Sequence, residues 1–209
     1  MKKIFITSVL SFATCTAFAG DWYGSVGLDQ KDKQNVTTGE YHNVFSMTIG
    51  KKLGDGYSVE ALIEDEQVRS ASAKHEGLYQ LRVNKDFHTE TMFTPYVGLA
   101  AGMKSKEGGL NASLDFPFYR YDLGIKAKLT EQITARLGWR HRQAMDAVYD
   151  TKDTKWNTNE TTLALSYKLT DVDTITAAYK IERMNDGGLV ASKQSSEYNT
   201  TAISYSRAF

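Results

Sequence analysis

The stretch Tyr119-Arg-Tyr-Asp-Leu-Gly-Ile-Lys-Ala-Lys-Leu129 alternates between two kinds of side chain. Successive side chains of a β-strand point to opposite faces, so this pattern predicts a strand with one apolar face and one polar face. A helix, with its period of about 3.6 residues, would scatter the same residues around its surface. The odd-numbered residues are apolar or aromatic, and the even-numbered ones are Arg120, Asp122, Gly124, Lys126 and Lys128.

Comparable alternation recurs along most of the 209-residue chain and predicts ten strands. Alternation sustained over about ten residues is typical of a strand that crosses a membrane, and it exceeds the usual strand length in globular proteins. Only one face of such a strand meets lipid, so a mean hydropathy as low as −0.43 is compatible with a membrane location. The predicted strands are Asp21–Asp29, Glu40–Leu53, Tyr57–Arg69, Lys74–Phe87, Thr91–Lys104, Asp115–Leu129, Gln132–Met145, Trp156–Leu169, Asp173–Arg183 and Glu197–Phe209.

The predicted connections differ in length in a regular way. Tight turns at Gly54–Gly56, Thr130–Glu131 and Thr170–Val172 alternate with longer, polar connections. Outer-membrane barrels have short periplasmic turns and longer extracellular loops. We therefore predict an all-β fold, a transmembrane antiparallel up-and-down β-barrel of about ten strands, with eight or twelve strands as alternatives. A soluble β-sandwich or lipocalin-type barrel is the competing fold, and it would place the apolar residues inside.

Aromatic residues on the predicted outward face favour the membrane barrel. Transmembrane barrels carry two aromatic girdles, one at each interface between lipid and water. In this chain one group falls near the predicted periplasmic ends of the strands and another falls toward the opposite ends. The first group is Trp22, Tyr57, Phe93, Tyr167, Tyr205 and Phe209, and the second is Tyr119, Tyr121 and Trp139.

The first residues have the three parts of a secretory signal peptide in order. A basic start and an apolar stretch precede the small-residue site Ala17–Ala19. We expect cleavage after Ala19, which divides the chain into a signal peptide, residues 1–19, and an outer-membrane barrel, residues 20–209. Cys15 leaves a lipoprotein signal as an alternative, but the residues before it fit that signal poorly. Because Cys15 is the only cysteine, we expect no disulfide in the mature chain.

The last predicted strand, Glu197–Phe209, ends on an aromatic residue. This ending resembles the C-terminal signature of bacterial outer-membrane β-barrels. The resemblance implies a location in the cell outer membrane, contact with its lipid and lipopolysaccharide, and recognition of Tyr205 and Phe209 by the barrel-assembly machinery. The chain has 25 Lys and Arg residues and 25 Asp and Glu residues. Because nucleic-acid binding usually requires a basic excess, we expect no nucleic-acid partner.

Even-numbered positions of the predicted strands carry charges that would be costly in hydrocarbon, so we expect odd positions to face lipid and even positions to face the lumen. The charges separate into an acidic wall on the third strand and a basic wall centred on the sixth and seventh. Two hypotheses follow: the charges pair and plug a narrow lumen, or the walls stay wet and the arginines guide anions. The predicted lumen-lining residues are Arg82, Arg120, Lys126, Arg136, Arg140 and Arg142, opposed by Glu60, Glu64 and Asp122.

Two arginine-rich segments, Phe118–Asp122 and Leu137–Arg142, resemble strands of small monomeric porins of the oligogalacturonate-specific type. That family has short barrels lined with basic residues for acidic sugars, although it has twelve strands. We predict a narrow passive channel, porin-like, for small polar or anionic solutes. The alternative is a non-conducting barrel whose loops serve adhesion, envelope stability or phage attachment.

Catalysis by residues at the barrel rim is a further hypothesis, because omptin proteases and lipid A deacylases are also barrels. The loops are shorter than a protease cleft requires, and no zinc-binding or phosphate-binding spacing occurs. We therefore predict no enzymatic activity, no metal site and no cofactor, and we expect the histidines to be wet residues of the rim. The candidate residues for this hypothesis are His42, His75 and His141, with Glu40, Glu76 and Asp146 close to them in sequence.

Overall fold

The structure, a computed structural model, describes residues 21–34, 41–69, 74–107, 113–145, 156–185 and 196–209. The predicted signal peptide, residues 1–19, lies outside the described residues, as do Glu40 and Asp146. Within the described ranges, no helix is long and apolar enough to cross a membrane.

Ten antiparallel strands form one closed barrel, in which each strand pairs with its neighbours in sequence and β1 pairs with β10. The predicted up-and-down barrel of ten strands is therefore confirmed. The strands are β1 (Trp22–Lys33), β2 (Tyr41–Gly54), β3 (Tyr57–Arg69), β4 (Lys74–Asp86), β5 (Phe93–Glu107), β6 (Ser113–Lys128), β7 (Ile133–Ala144), β8 (Asn157–Lys168), β9 (Asp173–Asn185) and β10 (Ser196–Ala208).

The barrel is apolar outside and polar inside. Leu99 and Leu81 are 68% and 65% exposed, whereas Arg120 is only 2% exposed. A soluble barrel would reverse this arrangement, so the lipocalin-type alternative is wrong for these strands. Closure satisfies the backbone hydrogen bonds of every strand, which is the condition for placing β-structure in lipid. The outer surface is thus suited to a bilayer.

The first strand differs from its prediction in length and in the direction of its side chains. It continues past Asp29 to Lys33, because it pairs with β2 and β10 over this polar stretch. Residues directly opposite each other in an antiparallel pair share one face. Asp29 lies opposite Val44 and Lys31 lies opposite His42. Odd positions of β1 therefore face the lumen, whereas even positions do so from β2 to β10.

The two ends of the barrel differ in their connections. The short-turn end carries the chain reversals between β2 and β3, β4 and β5, β6 and β7, and β8 and β9, together with the C-terminus. The other end, here called the loop end, carries the remaining five connections. Outward Tyr57, Phe93 and Tyr167 lie near the short-turn end, whereas Tyr121 lies nearer the loop end and contacts the ring of Trp139 at 5.6 Å between centroids.

Candidate functional site: the barrel lumen

Strand register arranges the inward side chains in three layers along the barrel axis. The lower layer is nearest the short-turn end, the upper layer is nearest the loop end, and the middle layer lies between them. The lower layer contains Tyr23, Glu60, Arg82, Asp86, Tyr96, Lys126 and Arg136. The middle layer contains Asp29, Glu64, Gln80, Arg120, Asp122, Arg140, Arg142, Glu160 and Lys180. The upper layer contains Lys31, His42, Glu66, Glu76, Leu78, Lys104, Phe116, Phe118, Ala144, Trp156, Thr158, Glu182, Met184 and Tyr198.

The lower layer is partly open to water. Arg82 Nε donates to Glu60 Oε2 at 2.6 Å, and Lys126 Nζ lies 2.6 Å from Asp86 Oδ2. The side chains of Lys126 and Asp86 remain 35% and 26% exposed. Arg136 forms no ion pair with any carboxylate in the described part of the chain. The layer therefore contains one guanidinium group without a carboxylate partner among the described residues, in the same layer as the partly exposed Lys126 and Asp86.

Two glycines keep this lower space wide. A Cβ atom at Gly138 would lie 2.3 Å from the Tyr96 hydroxyl oxygen, and one at Gly124 would lie 2.7 Å from the same ring. The Tyr96 ring thus occupies the room that side chains on β6 and β7 would otherwise fill. Lys126 Nζ lies 5.4 Å from the ring centroid. The ring consequently lies along the wall instead of crossing the lumen.

The middle layer is a network of ion pairs. Asp122 accepts hydrogen bonds from Arg120 Nε at 2.8 Å and from Arg140 Nε at 3.1 Å. Arg140 Nη1 also donates to Glu160 Oε2 at 3.3 Å. The pair between Arg142 and Glu64 joins β7 to β3 across the lumen. Most of the predicted basic wall is therefore neutralised by carboxylates, as the plug hypothesis expects.

The upper layer fills the lumen. Phe118 and Trp156 are 0% and 1% exposed, and their ring centroids are 6.0 Å apart. Phe116 packs on the same indole at 5.3 Å. These rings belong to a cluster with Leu78, Ala144, Met184 and Tyr198.

Charges surround one side of this apolar cluster. Glu66 Oε1 lies 2.6 Å from His42 Nδ1, and its carboxylate lies 3.5 Å from both Lys31 Nζ and Lys104 Nζ. Lys31 Nζ is also 2.7 Å from Glu182 Oε2. The upper layer is thus closed by packed rings and by buried ion pairs together.

The three histidines have different surroundings. His42, which we expected to be wet, is buried, because β1 and β3 enclose it beside Glu66. His75 is exposed near Asp65, at 3.8 Å. His141 faces outward, lies 4.9 Å from the Tyr121 ring centroid and is within 2.9 Å of Asn159 Oδ1. In the described ranges no group of three or more His, Cys, Asp and Glu side chains could hold a metal ion.

All nine predicted lumen residues face inward, but they do not act as one track. Arg82 and Glu60 pair in the lower layer, whereas Arg120, Arg140 and Arg142 lie higher with Asp122 and Glu64. Sequence reasoning missed the apolar residues of the upper layer. Their signal was present, because the even positions of Phe116, Phe118 and Trp156 interrupt an otherwise polar face.

The predicted assembly residues lie at the seam between the first and last strands. Phe209 N donates to Trp22 O at 2.9 Å, and Tyr205 Oη lies 2.5 Å from Asp173 Oδ1. Tyr205 belongs to the outward face of the closing strand near the short-turn end, and Phe209 directly follows that strand. Their role in assembly stays a prediction.

No protein-family model and no curated protein matches this sequence. Among solved structures, an outer-membrane channel of Pseudomonas putida F1 aligns with a TM-score of 0.58 and 12% identity, covering 92% of this chain and 97% of that one. The β domain of the Bordetella autotransporter BrkA aligns with a TM-score of 0.54 and 11% identity, covering 92% and 100%. The translocator domain of the autotransporter NalP from Neisseria meningitidis gives 0.52 and 9%, covering 100% and 96%. The chain therefore has the fold of bacterial outer-membrane β-barrels.

Proposed function

We propose that the chain is a narrow passive channel of the outer membrane for small polar or anionic solutes. The observation that carries this proposal is the lower layer, where water reaches partly exposed charges and Arg136 has no carboxylate partner among the described residues. A cation without a fixed partner attracts mobile anions, and rows of Arg and Lys are a usual device of anion-selective pores. The Tyr96 ring occupies the space beside Gly124 and Gly138, and in this proposal the anions pass beside it.

The upper layer would be the constriction of this channel. Hydrophobic constrictions close pores by excluding water. Trp156 directly precedes β8, and Ala144 and Met184 lie at the loop ends of β7 and β9. The packing of this layer would then decide whether the channel is open.

The second candidate is a non-conducting barrel whose loops serve adhesion, envelope stability or phage attachment. It is favoured by the burial of Phe118 and Trp156 and by the Arg142–Glu64 pair across the lumen. A barrel filled in this way at two levels would carry no solute. Its residues would then serve stability alone.

Planar-bilayer recordings separate the two candidates. The folded protein is compared with Trp156→Ala, which opens the upper layer, and with Trp139→Ala, which removes an indole from the outer face. Current steps in the unsubstituted protein, enlarged by Trp156→Ala and unchanged by Trp139→Ala, would support the channel. Steps that appear only with Trp156→Ala would support the plugged barrel. If none of the three proteins gives current steps, and circular dichroism verifies the strand content of each, the channel proposal is wrong.

A further inference from the structure

We infer that the middle and upper layers hold a binding site for a carboxylate group, formed by Gln80, Arg120, Arg142 and Thr158. These residues lie on β4, β6, β7 and β8, so they form one side of the lumen. As a step in permeation the site rests on the proposed channel function, whereas its occupancy can be measured without any current.

Each of the four side chains has a buried polar atom without a hydrogen-bond partner among the described residues. The atoms are Arg120 Nη2, Arg142 Nε, Thr158 Oγ1 and both amide atoms of Gln80. The residues are at most 7% exposed, so bulk water does not satisfy these atoms. A buried polar group without a partner costs about 1–3 kcal/mol, and more for a charged group. Gln80 Oε1 is an acceptor, but the other four atoms can all donate, and these unpaired donors indicate a missing acceptor.

Strand register brings these donors together. Arg120 and Arg142 lie directly opposite each other on β6 and β7, and Arg142 lies directly opposite Thr158 on β8. Between β4 and β6, the inward positions of β5 at this height are the small Ala100 and Gly102. Across β5, Gln80 lies in register with Gly102 and Phe118, and Arg120 lies in register with Ala100 and Arg82, so Gln80 is one inward position away from Arg120.

The charges point to an anion as the missing partner. Like charges directly opposite each other on neighbouring strands repel, and Arg120 and Arg142 are such a pair. The ion pairs that the two arginines form with carboxylates are shared or long. Asp122 is shared between Arg120 and Arg140, and Glu64 Oε1 is 3.8 Å from Arg142 Nη2. An anion between the two guanidinium groups would offset the repulsion and accept the free N–H groups.

A carboxylate fits these donors better than a spherical anion. Guanidinium groups match the two oxygens of a carboxylate, because their N–H groups form a planar fork. The Thr158 hydroxyl and the Gln80 amide N–H would supply further hydrogen bonds to the same oxygens. Thr158 and Gln80 belong to none of the ion pairs described above, so they can be substituted without breaking one.

The test is fluorine NMR of trifluoroacetate mixed with the folded chain in detergent micelles at constant ionic strength. We expect the trifluoroacetate line to broaden and acetate to restore it at lower concentration than chloride does. Thr158→Val and Gln80→Leu should each weaken binding about tenfold, the effect of losing a hydrogen bond to a charged group. Thr200→Val is the matched control, because Thr200 is also a buried, inward threonine, on β10.

Absence of broadening would overturn the site and would indicate that bound water satisfies the donors. Broadening that neither Thr158→Val nor Gln80→Leu reduces, or that chloride reverses as well as acetate, would overturn it too. If trifluoroacetate binding depends on Thr158 and Gln80 but the protein carries no current, the binding site is supported and the channel proposal is wrong. If the protein carries current but trifluoroacetate does not bind in this way, the binding site is excluded and the channel proposal is unaffected.

Discussion

Arg142 on β7 reaches Glu64 on β3 across the barrel, with 3.8 Å between Nη2 and Oε1. These strands are separated by three others along the wall, so the pair crosses the lumen and does not follow one side of it. The predicted acidic and basic walls thus meet in the middle of the barrel. Glu64 is therefore a suitable position to test how the Arg142–Glu64 ion pair affects anion passage through the lumen.

Replacing Glu64 by Gln should favour anion passage and reduce stability. The change leaves Arg142 with a free charge, which would attract anions into the middle layer. We expect the free energy of unfolding to fall by about 1–2 kcal/mol, less than the loss of about 3–5 kcal/mol for a tight buried pair, because this pair is long and Glu64 is 21% exposed. Reversal potentials and urea unfolding of protein in lipid vesicles measure the two effects.

Asp171→Asn is the control for this prediction. Lys168 donates a hydrogen bond to Asp171 at 2.7 Å and lowers the pKa of that carboxyl, but the Asp171 side chain is 98% exposed. Exposed pairs contribute little to stability, so neither selectivity nor unfolding should change. An unchanged reversal potential in Glu64→Gln as well would remove the Arg142–Glu64 pair from any role in permeation.

Replacing Gly138 by a larger residue should narrow the lumen at the lower layer. A side chain there collides first with the Tyr96 hydroxyl at 2.3 Å, whereas the nearest backbone atom is 3.9 Å away. Gly138→Leu should therefore push the Tyr96 ring into the lumen while the strands keep their pairing. We expect the current per open channel to fall by about half or more, because a pore this narrow is sensitive to one ring. Single-channel recording in symmetric salt measures the change.

Gly77→Ala and Tyr96→Ala complete this experiment. A Cβ atom at Gly77 has only ordinary contacts, the nearest at 3.7 Å, so its substitution should leave the current unchanged. In the double variant Gly138→Leu and Tyr96→Ala the current should recover, since no ring is left to displace. A double variant as poorly conducting as Gly138→Leu alone would show that Tyr96 is not the obstruction.

The outer face and the strand count could be predicted because they depend on a pattern that repeats. Alternation over ten strands averages out local exceptions, and each tight turn fixes the direction of the next strand. The face of each side chain from β2 to β10 follows from the same pattern. The prediction that odd positions face lipid is wrong for β1, where Asp29 and Lys31 face inward at odd positions. The strand has few apolar residues, so its parity depends on its partner β2.

The pairing of lumen charges could not be predicted, because it depends on contacts across the barrel. Glu66 lies between Lys31, Lys104 and His42, which come from three other strands. Sequence spacing gives no distance between such strands without the register and the closure of the sheet. The aromatic residues of the upper layer were missed for a different reason. The even positions of Phe118 and Trp156 place them inside, but two aromatic residues on a mainly polar face do not by themselves predict a packed cluster.

Reversing the charge at Arg136 should shift ion selectivity toward cations. Arg136 is the lower-layer arginine without a carboxylate partner among the described residues, so Arg136→Glu changes the field that a mobile ion meets by about two charges. We expect the reversal potential in a salt gradient to move toward the equilibrium potential of the cation. Arg183→Glu is the control, because Arg183 is exposed on the outer face beside Glu197. Equal reversal potentials for both variants would exclude Arg136 from the conduction path.

Deleting Phe209 should reduce the amount of barrel in the membrane and leave the lumen unchanged. The residue adds one backbone hydrogen bond to the β1–β10 seam, from its N–H to Trp22 O, so its loss alone should not open the barrel. The expected defect is in recognition by the assembly machinery, measured as folded protein in isolated outer membranes. Phe93→Ala removes another outward aromatic side chain near the same end and should have a smaller effect. Protein refolded in detergent should conduct equally with and without Phe209. Normal membrane levels of the deletion, or equal losses with Phe93→Ala, would show that the terminal aromatic residue is an ordinary lipid contact.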